Sequence, residues 1–450
     1  MTIQQPSQLM NAKIWLLLTA FLVIVSFGVK PGRADTPPVN YESDQIVVRI
    51  MPAAAIDEIN NAYGTSTVRR LLNNADIYLL QATSAAAATQ IVPAMNDDPA
   101  IQYAELNLIT AAPEASGRDI YGWSNGEADL TNEQTDPRIL FGWELGDSDS
   151  ARYYNQPAIY DVNAGQTGGS GVTVAVLDTG IDFSHPALAG HITDNGYDFV
   201  DDDDTPEDQF NNLDDDGDGF VDEAAGHGTH VAGIIHLIAS EAQIMPLRVL
   251  DSDGQGNSFV IAEAMLYAME NGADVINLSL GTTRQSQFLL DVVAQVTANN
   301  VVVVAAAGNL NEDTPQYPAA ADCAIAVTAI GPGRVKTDYA NYGDWVDLIA
   351  PGERIYSSYP GGVYAWWNGT SMATPFVSGQ VALIRSLSPS ISLADTGQII
   401  AGTAVSLDTA NPQYRELLGS GLIDVQASLA ALNSGNWPDP AANPLAGCSG

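Results

Sequence analysis

Residues 171–180 read Gly-Val-Thr-Val-Ala-Val-Leu-Asp-Thr-Gly, and the fold follows from this stretch and from what repeats after it. Val172 to Leu177 is an apolar run of strand length closed by a turn, the pattern of a strand buried on both faces. Ile244 to Val249, Val275 to Leu280 and Val301 to Ala306 repeat that texture, and between them His230 to Ile238, Ser258 to Asn271 and Gln287 to Ala298 suit helices. Apolar strands alternating with helices predict an α/β fold: a doubly wound, mostly parallel sheet with helices on both faces. Such sheets collect their active sites at the carboxyl ends of the strands, and Asp178 stands there.

Toward the amino terminus, residues 44–112 form a second, compact block. Strands are predicted over Gln45 to Ile50, Ile77 to Gln81 and Ile101 to Glu105, and helices over Ala53 to Tyr63 and Ser84 to Met95, a small α+β domain. Residues 113–170 are rich in Gly, Asn, Asp, Ser and Pro without a sustained apolar period, as a linker and extension would be. Lys13, the apolar stretch Ile14 to Val29 and then Lys30, Pro31, Gly32, Arg33 and Ala34 read as an export signal. That stretch is shorter than the roughly 20 residues that span a bilayer. The expected organisation is a signal over 1–34, the α+β block over 35–112, a linker over 113–150, the large domain over 151–435 and a proline-containing tail over 436–450.

With 54 acidic and 16 basic side chains the formal net charge is -38, which excludes nucleic acid and anionic membranes as partners beyond transient membrane passage during export. Two cysteines are too few for a disulfide framework. The expectation is a small buried hydrophobe at Cys323, within the apolar run Cys323 to Ile330, and a loose Cys448, with one disulfide as the alternative.

Three short segments carry chemistry. Asp178 ends a strand, His227 lies in Gly226-His227-Gly228-Thr229-His230-Val231-Ala232-Gly233 at a helix start, and Ser371 opens a helix in Asn368-Gly369-Thr370-Ser371-Met372-Ala373-Thr374-Pro375. Taken singly, Asp178 and Ser371 also suit a cap or turn, and a histidine at a helix start also suits a zinc ligand. No Glu sits between His227 and His230 in the zinc-protease pattern. Taken together they supply a nucleophile, the base that must deprotonate it and the carboxylate that fixes the base's tautomer.

Val176 to Gly180, His227 to His230 and Gly369 to Pro375 resemble the three signature blocks of the subtilases, in the order Asp, His, Ser, over about residues 150–430. The resemblance implies that Asp178 orients, His227 is general base then acid, Ser371 attacks the scissile carbonyl and His230 only packs. Ala305 to Asn309 resembles the family's oxyanion block, with Asn309 donating beside the Ser371 backbone N–H. Asp253 to Gly256 and Asn277 to Gly281 resemble the substrate-binding segments, so Gly254, Gly256, Ser279, Leu280, Gly281, Ala307 and Gly308 are expected to line the peptide. Leu310 in place of an acid implies an apolar or aromatic P1 preference, and the sequons at Asn277 and Asn368 lie inside these motifs. The 44–112 block resembles a propeptide that acts as folding chaperone and intramolecular inhibitor. The implied protein is a secreted, self-processed, monomeric serine endopeptidase acting on polypeptides; a processing protease dedicated to one secreted partner and a non-catalytic binding protein are the alternatives.

From Asp201 to Glu223 there are 12 acidic residues and no basic one. Asp214, Asp216, Asp218, Gly219 and Asp222 resemble the start of an EF-hand-type calcium loop, although Ala225 stands where the terminal Glu would be. A structural calcium ion held by Asp214, Asp216, Asp218 and Asp222 is therefore expected. Gly233 to Met245 leave no room for the calcium loop usual in the family after the His227 helix.

Overall fold

The computed structural model describes residues 44–114 and 143–448, except 166; the expected export signal and most of the expected linker lie outside the described residues. The amino-terminal block comprises β1 (Gln45–Ile50), α1 (Ile56–Tyr63), β2 (Ser66–Arg70), β3 (Ile77–Gln81), α2 (Ala85–Asn96) and β4 (Ile101–Leu106). Its strands form an antiparallel sheet in the order β2-β3-β1-β4. Ile46, Val48 and Leu80 pack with Ile59, Ala88 and Met95 under the block's own helices. Val47, Ile77 and Leu79 point the other way, into a core shared with Phe259 and Phe288. Both faces of this small sheet are thus covered. The exposed, polar β2 shows no apolar alternation and escapes a sequence reading; pairing with β3 forms it.

The chain continues through β5 (Ile109–Ala111), β6 (Trp143–Leu145), α3 (Ser150–Tyr154) and α4 (Pro157–Asp161). From 143 onward the chain is bonded to the large body, β6 pairing antiparallel with the strand Val363–Trp367. Tyr153 is fully buried and donates to the Gly233 carbonyl at 2.6 Å, and the Gln156 amide bonds both backbone groups of Tyr356 at 2.7 and 3.0 Å. Elements this short are held by distant partners and carry no period of their own.

The large body then runs β7 (Thr173–Asp178), β8 (Tyr197–Asp198), α5 (His227–Ile238), β9 (Gln243–Arg248), β10 (Gln255–Asn257), α6 (Ser258–Glu270), β11 (Val275–Leu278), α7 (Gln287–Thr297), β12 (Val302–Ala306), β13 (Ala324–Gly331), β14 (Val335–Lys336) and β15 (Leu348–Pro351). A hairpin, β16 (Ile355–Tyr359) and β17 (Val363–Trp367), leads into α8 (Thr370–Leu387), followed by α9 (Leu393–Gly402) and α10 (Val425–Ser434). The main sheet has the order β14-β13-β12-β11-β7-β9-β8, with β15 beside β13. Every pair is parallel except β13 with β14. Val174 and Val176 face one core with Ile235 and Phe376, whereas Ala175 and Leu177 face the other with Met265 and Val292. Burial on both faces is why Val172 to Leu177 is apolar without alternation. From β7 the chain crosses to β9 on one side and then to β11, β12 and β13 on the other, and this reversal opens a crevice at the carboxyl ends of β7 and β11.

Cys323 and Cys448 form a disulfide, with Cα atoms 5.8 Å apart. This corrects the expectation of a buried thiol and a loose terminal one: the tail folds back, burying Leu445 in the main core. The bridge closes a 125-residue separation, which in a chain-entropy account stabilises by up to about 5 kcal/mol. Cys448→Ser is expected to shorten the half-life of activity at elevated temperature, and a reductant should shorten that of the unsubstituted protein to match; equal half-lives throughout would refute the role. Among the described residues, no helix is long and apolar enough to cross a membrane.

Candidate active site

Asp178 is the last residue of β7 and fully buried. Its Oδ1 accepts from Thr179 N at 2.8 Å and pairs with His227 Nδ1 at 2.7 Å. His227 is the first residue of α5, and Gly228 behind it packs on the Gly180 carbonyl and Asp178 so closely that a Cβ would collide. Asp208 anchors this helix start: Oδ1 accepts from Gly226 N at 2.8 Å, and Oδ2 accepts from the Thr229 hydroxyl at 2.6 Å and Thr229 N at 3.1 Å. Burial, and more weakly Asp178, raise its carboxyl to about 7 despite these bonds. Sequence reasoning missed Asp208, which is one acid among many in its stretch.

Ser371 is the second residue of α8 and fully buried. Its Oγ donates to Glu114 Oε2 at 2.6 Å, and that same oxygen faces His227 Nε2 at 3.3 Å. Asn309 Nδ2 donates to the other oxygen, Oε1, at 2.9 Å. The Asn309 side-chain oxygen Oδ1 accepts from Thr370 N at 3.0 Å and Thr370 Oγ1 at 2.9 Å, which aims the side-chain Nδ2 at the site. The carboxylate of Glu114 therefore sits among the imidazole, the serine hydroxyl and the asparagine amide. No local signal in the sequence marks it.

Burial works against charge on His227, but Asp178 and then Glu114 more than offset it, raising the imidazole to about 10. His230 goes the opposite way: burial lowers it to about 3, and its Nε2 lies 3.1 Å from the Ala365 carbonyl and 3.2 Å from that of Ile355. It is a neutral packing residue.

Glu114 reaches the site because β5 enters the cleft as an added strand. β5 pairs antiparallel with β10, Thr110 opposite Gly256. Ala111 exchanges both backbone bonds with Gly281 at 2.9 and 3.1 Å, and Ala112 N donates to the Gly254 carbonyl at 3.0 Å. Ser279 accepts from Ser371 Oγ at 3.2 Å and returns a bond from its own hydroxyl at 2.9 Å. Leu280 packs into the apolar core, while Ala307 and Gly308 follow β12, anchored on Val327 O and Thr370 Oγ1 at 2.9 and 3.0 Å.

In the acidic loop, carboxylate oxygens of Asp214, Asp216 and Asp218 lie within 4.8 Å of one another. Asp222 does not join them, a correction: its carboxylate accepts Asn211 N at 2.8 Å and Asn212 N at 2.9 Å. It lies outside the 4.8 Å group that the other three form.

A carboxylate, an imidazole and a serine hydroxyl gathered where a doubly wound sheet reverses its strand order are the layout of a serine peptidase. Residues 169–421 match the model of the subtilase family, and 29–107 match the fervidolysin N-terminal prodomain. The chain is 40% identical over 250 residues to thermitase from Thermoactinomyces vulgaris, covering 52% of this chain and 84% of that protein. It is 37% identical over 306 residues to a thermophilic serine proteinase from a Bacillus species, covering 66% of each. In fold it resembles the crystal structure of fervidolysin from Fervidobacterium pennivorans, described as a keratinolytic enzyme related to subtilisin. The TM-score is 0.66 at 23% identity, covering 87% of this chain and 61% of that one. The chain belongs to the subtilase family: it is a subtilisin-like serine peptidase with an amino-terminal prodomain.

Proposed function

We propose that the protein is a secreted, self-processed serine endopeptidase whose triad is Asp178, His227 and Ser371. The observation that carries this reading is the strand Ile109–Ala111 lying between Gly254–Asn257 and Gly281, with Glu114 just after it bonded to Ser371. A peptide held so would be read chiefly through its backbone. His227 Nε2 takes the Ser371 proton as Oγ bonds to the scissile carbonyl carbon, and Asp178 keeps the proton on Nδ1. The carbonyl oxygen becomes an oxyanion that accepts from Asn309 Nδ2 and the Ser371 backbone N–H, at the positive end of α8. His227 then protonates the leaving amine, and water repeats the sequence on the acyl-enzyme. The P1 preference is apolar, the enzyme acts as a monomer, and Asp214, Asp216 and Asp218 would hold a structural calcium ion, a hard cation suited to their oxygens.

The segment that follows the prodomain inhibits through Glu114, whose carboxylate offers the Asn309 amide what an oxyanion would and ties up the Ser371 hydroxyl, while Asp178 and, after it, Glu114 favour the charged form of His227, which is no base. A histidine raised from 6.5 to about 10 stabilises the closed precursor fully below pH 6.5, and that contribution disappears as pH rises through 10. The melting temperature of a Ser371→Ala precursor should therefore fall from pH 7 to 10. Adding Glu114→Gln should lower it at pH 7 and make its fall shallower; parallel profiles would sink the pairing.

The reading as a whole is tested by treating mature protein with phenylmethylsulfonyl fluoride and mapping the adduct by peptide mass, alongside digestion of denatured casein. An adduct on Ser371 with loss of casein digestion is expected. Modification elsewhere refutes the assignment, and an enzyme that labels at Ser371 yet leaves casein intact is a dedicated processing protease.

A further inference from the structure

Glu223 ends the acidic stretch where it is stitched to the cleft: Ala224 N donates to Ser252 O at 3.0 Å. The Glu223 side chain is buried, 2% exposed, and neither of its carboxylate oxygens accepts a hydrogen bond. A buried carboxylate ordinarily accepts hydrogen bonds or faces a cation. This one faces acids. Oxygens of Asp216, Glu223 and Asp253 lie within 4.8 Å of one another, and Asp253 is fully buried as well. Oxygens bound to one calcium ion at about 2.4 Å stand no more than about twice that distance apart, so the spacing is that of ligands to a shared ion.

We infer that Asp216, Glu223 and Asp253 form a divalent-cation site of calcium type that ties the acidic loop to the substrate-binding strand β10. Asp253 Oδ1 accepts from Asp222 N at 2.6 Å, Asp253 Oδ2 accepts from Asp215 N, and Asp216 Oδ2 accepts from Gln255 Nε2 at 2.8 Å. Each of those oxygens keeps a second lone pair for a metal. Both oxygens of Glu223 are available for bidentate binding, and waters and carbonyls complete the six to eight ligands calcium takes. The site shares Asp216 with the loop-tip group Asp214, Asp216 and Asp218 but sits deeper, against the cleft. Its consequence rests on the reading of β10 as substrate-binding: Asp253 precedes Gly254, whose carbonyl takes the Ala112 N–H. Without the ion, three negative charges repel across the base of that strand, and the peptide-binding edge loosens.

The test uses the Ser371→Ala precursor, stripped with a chelator and titrated with calcium chloride by calorimetry. Calcium binding there needs no catalysis, so its outcome is separate from that of the peptidase reading. Glu223→Gln should weaken one binding event at least tenfold, and Asp214→Asn should leave that event in place. Loss of the same event in Asp214→Asn assigns the ion to the loop tip and overturns the site. An unchanged titration in Glu223→Gln with a higher melting temperature means a proton shared between the carboxylates and overturns it equally. Should Glu223→Gln not fold, crystals of the precursor soaked in terbium chloride decide: an anomalous peak bounded by Asp216, Glu223 and Asp253 supports the site, and its absence there overturns it. In the active enzyme, Glu223→Gln should raise KM several-fold while kcat is nearly kept.

Discussion

Ser371→Ala leaves the precursor at full length and lowers peptide turnover by about a millionfold, the loss that removal of the nucleophile produces in subtilisin itself. The substitution removes one hydroxyl and keeps the Cβ, so the packing of α8 is undisturbed. Its structural cost is the one Oγ–H, shared between Glu114 and the Ser279 carbonyl, about 1.5 to 3 kcal/mol for a bond to a charged acceptor, too little to unfold a body with two large cores. Intact-mass analysis separates the outcomes. The unsubstituted protein should emerge with a new amino terminus beyond residue 114 while the variant retains its prodomain. If the purified variant shortens at the same rate, an outside protease does the cutting and self-processing is wrong.

Asp178→Asn is expected to reduce kcat by about 10⁴-fold at neutral pH with KM nearly unchanged, a magnitude again taken from triad carboxylates in serine proteases including subtilisin. The reason is in the bonds. Asp178 Oδ1 receives the His227 Nδ1 proton while Thr179 N holds the same oxygen in place. An amide of the same shape can present its own N–H to Nδ1, which drives the proton to Nε2, where Ser371 needs a lone pair. The charge that stabilises imidazolium is lost as well. Steady-state kinetics over pH 6 to 10 provide the check, and a loss smaller than tenfold would mean that Asp178 does not set the tautomer.

Much of the site was legible because its parts are local. An apolar strand ending in Asp-Thr-Gly, a Gly-flanked histidine at a helix start and a Gly-Thr-Ser helix opening each need only neighbouring residues, and their order along the chain is the order in which β7, α5 and α8 reach the carboxyl edge. The alternation of apolar strands and helices likewise determined a parallel sheet with two cores, since burial on both faces leaves no polar alternate position.

What only the tertiary structure decided depends on partners far apart in the chain. Glu114 meets Ser371 across 257 residues, and nothing in Ala111-Ala112-Pro113-Glu114 announces that a strand pairing with β10 will deliver a carboxylate to that hydroxyl. Cys448 meets Cys323 because the tail folds back onto the main core. The short elements between 143 and 161 form through bonds to Gly233 and Tyr356. In the acidic loop, spacing selected Asp222, whose carboxylate lies outside the group of Asp214, Asp216 and Asp218, while packing set Glu223 beside Asp253, 30 positions on in the sequence. Local pattern records which backbone conformation a segment prefers and which face it buries; which distant side chain arrives there is settled by packing, and in this protein packing brought together both the carboxylate on Ser371 and the carboxylates beneath β10.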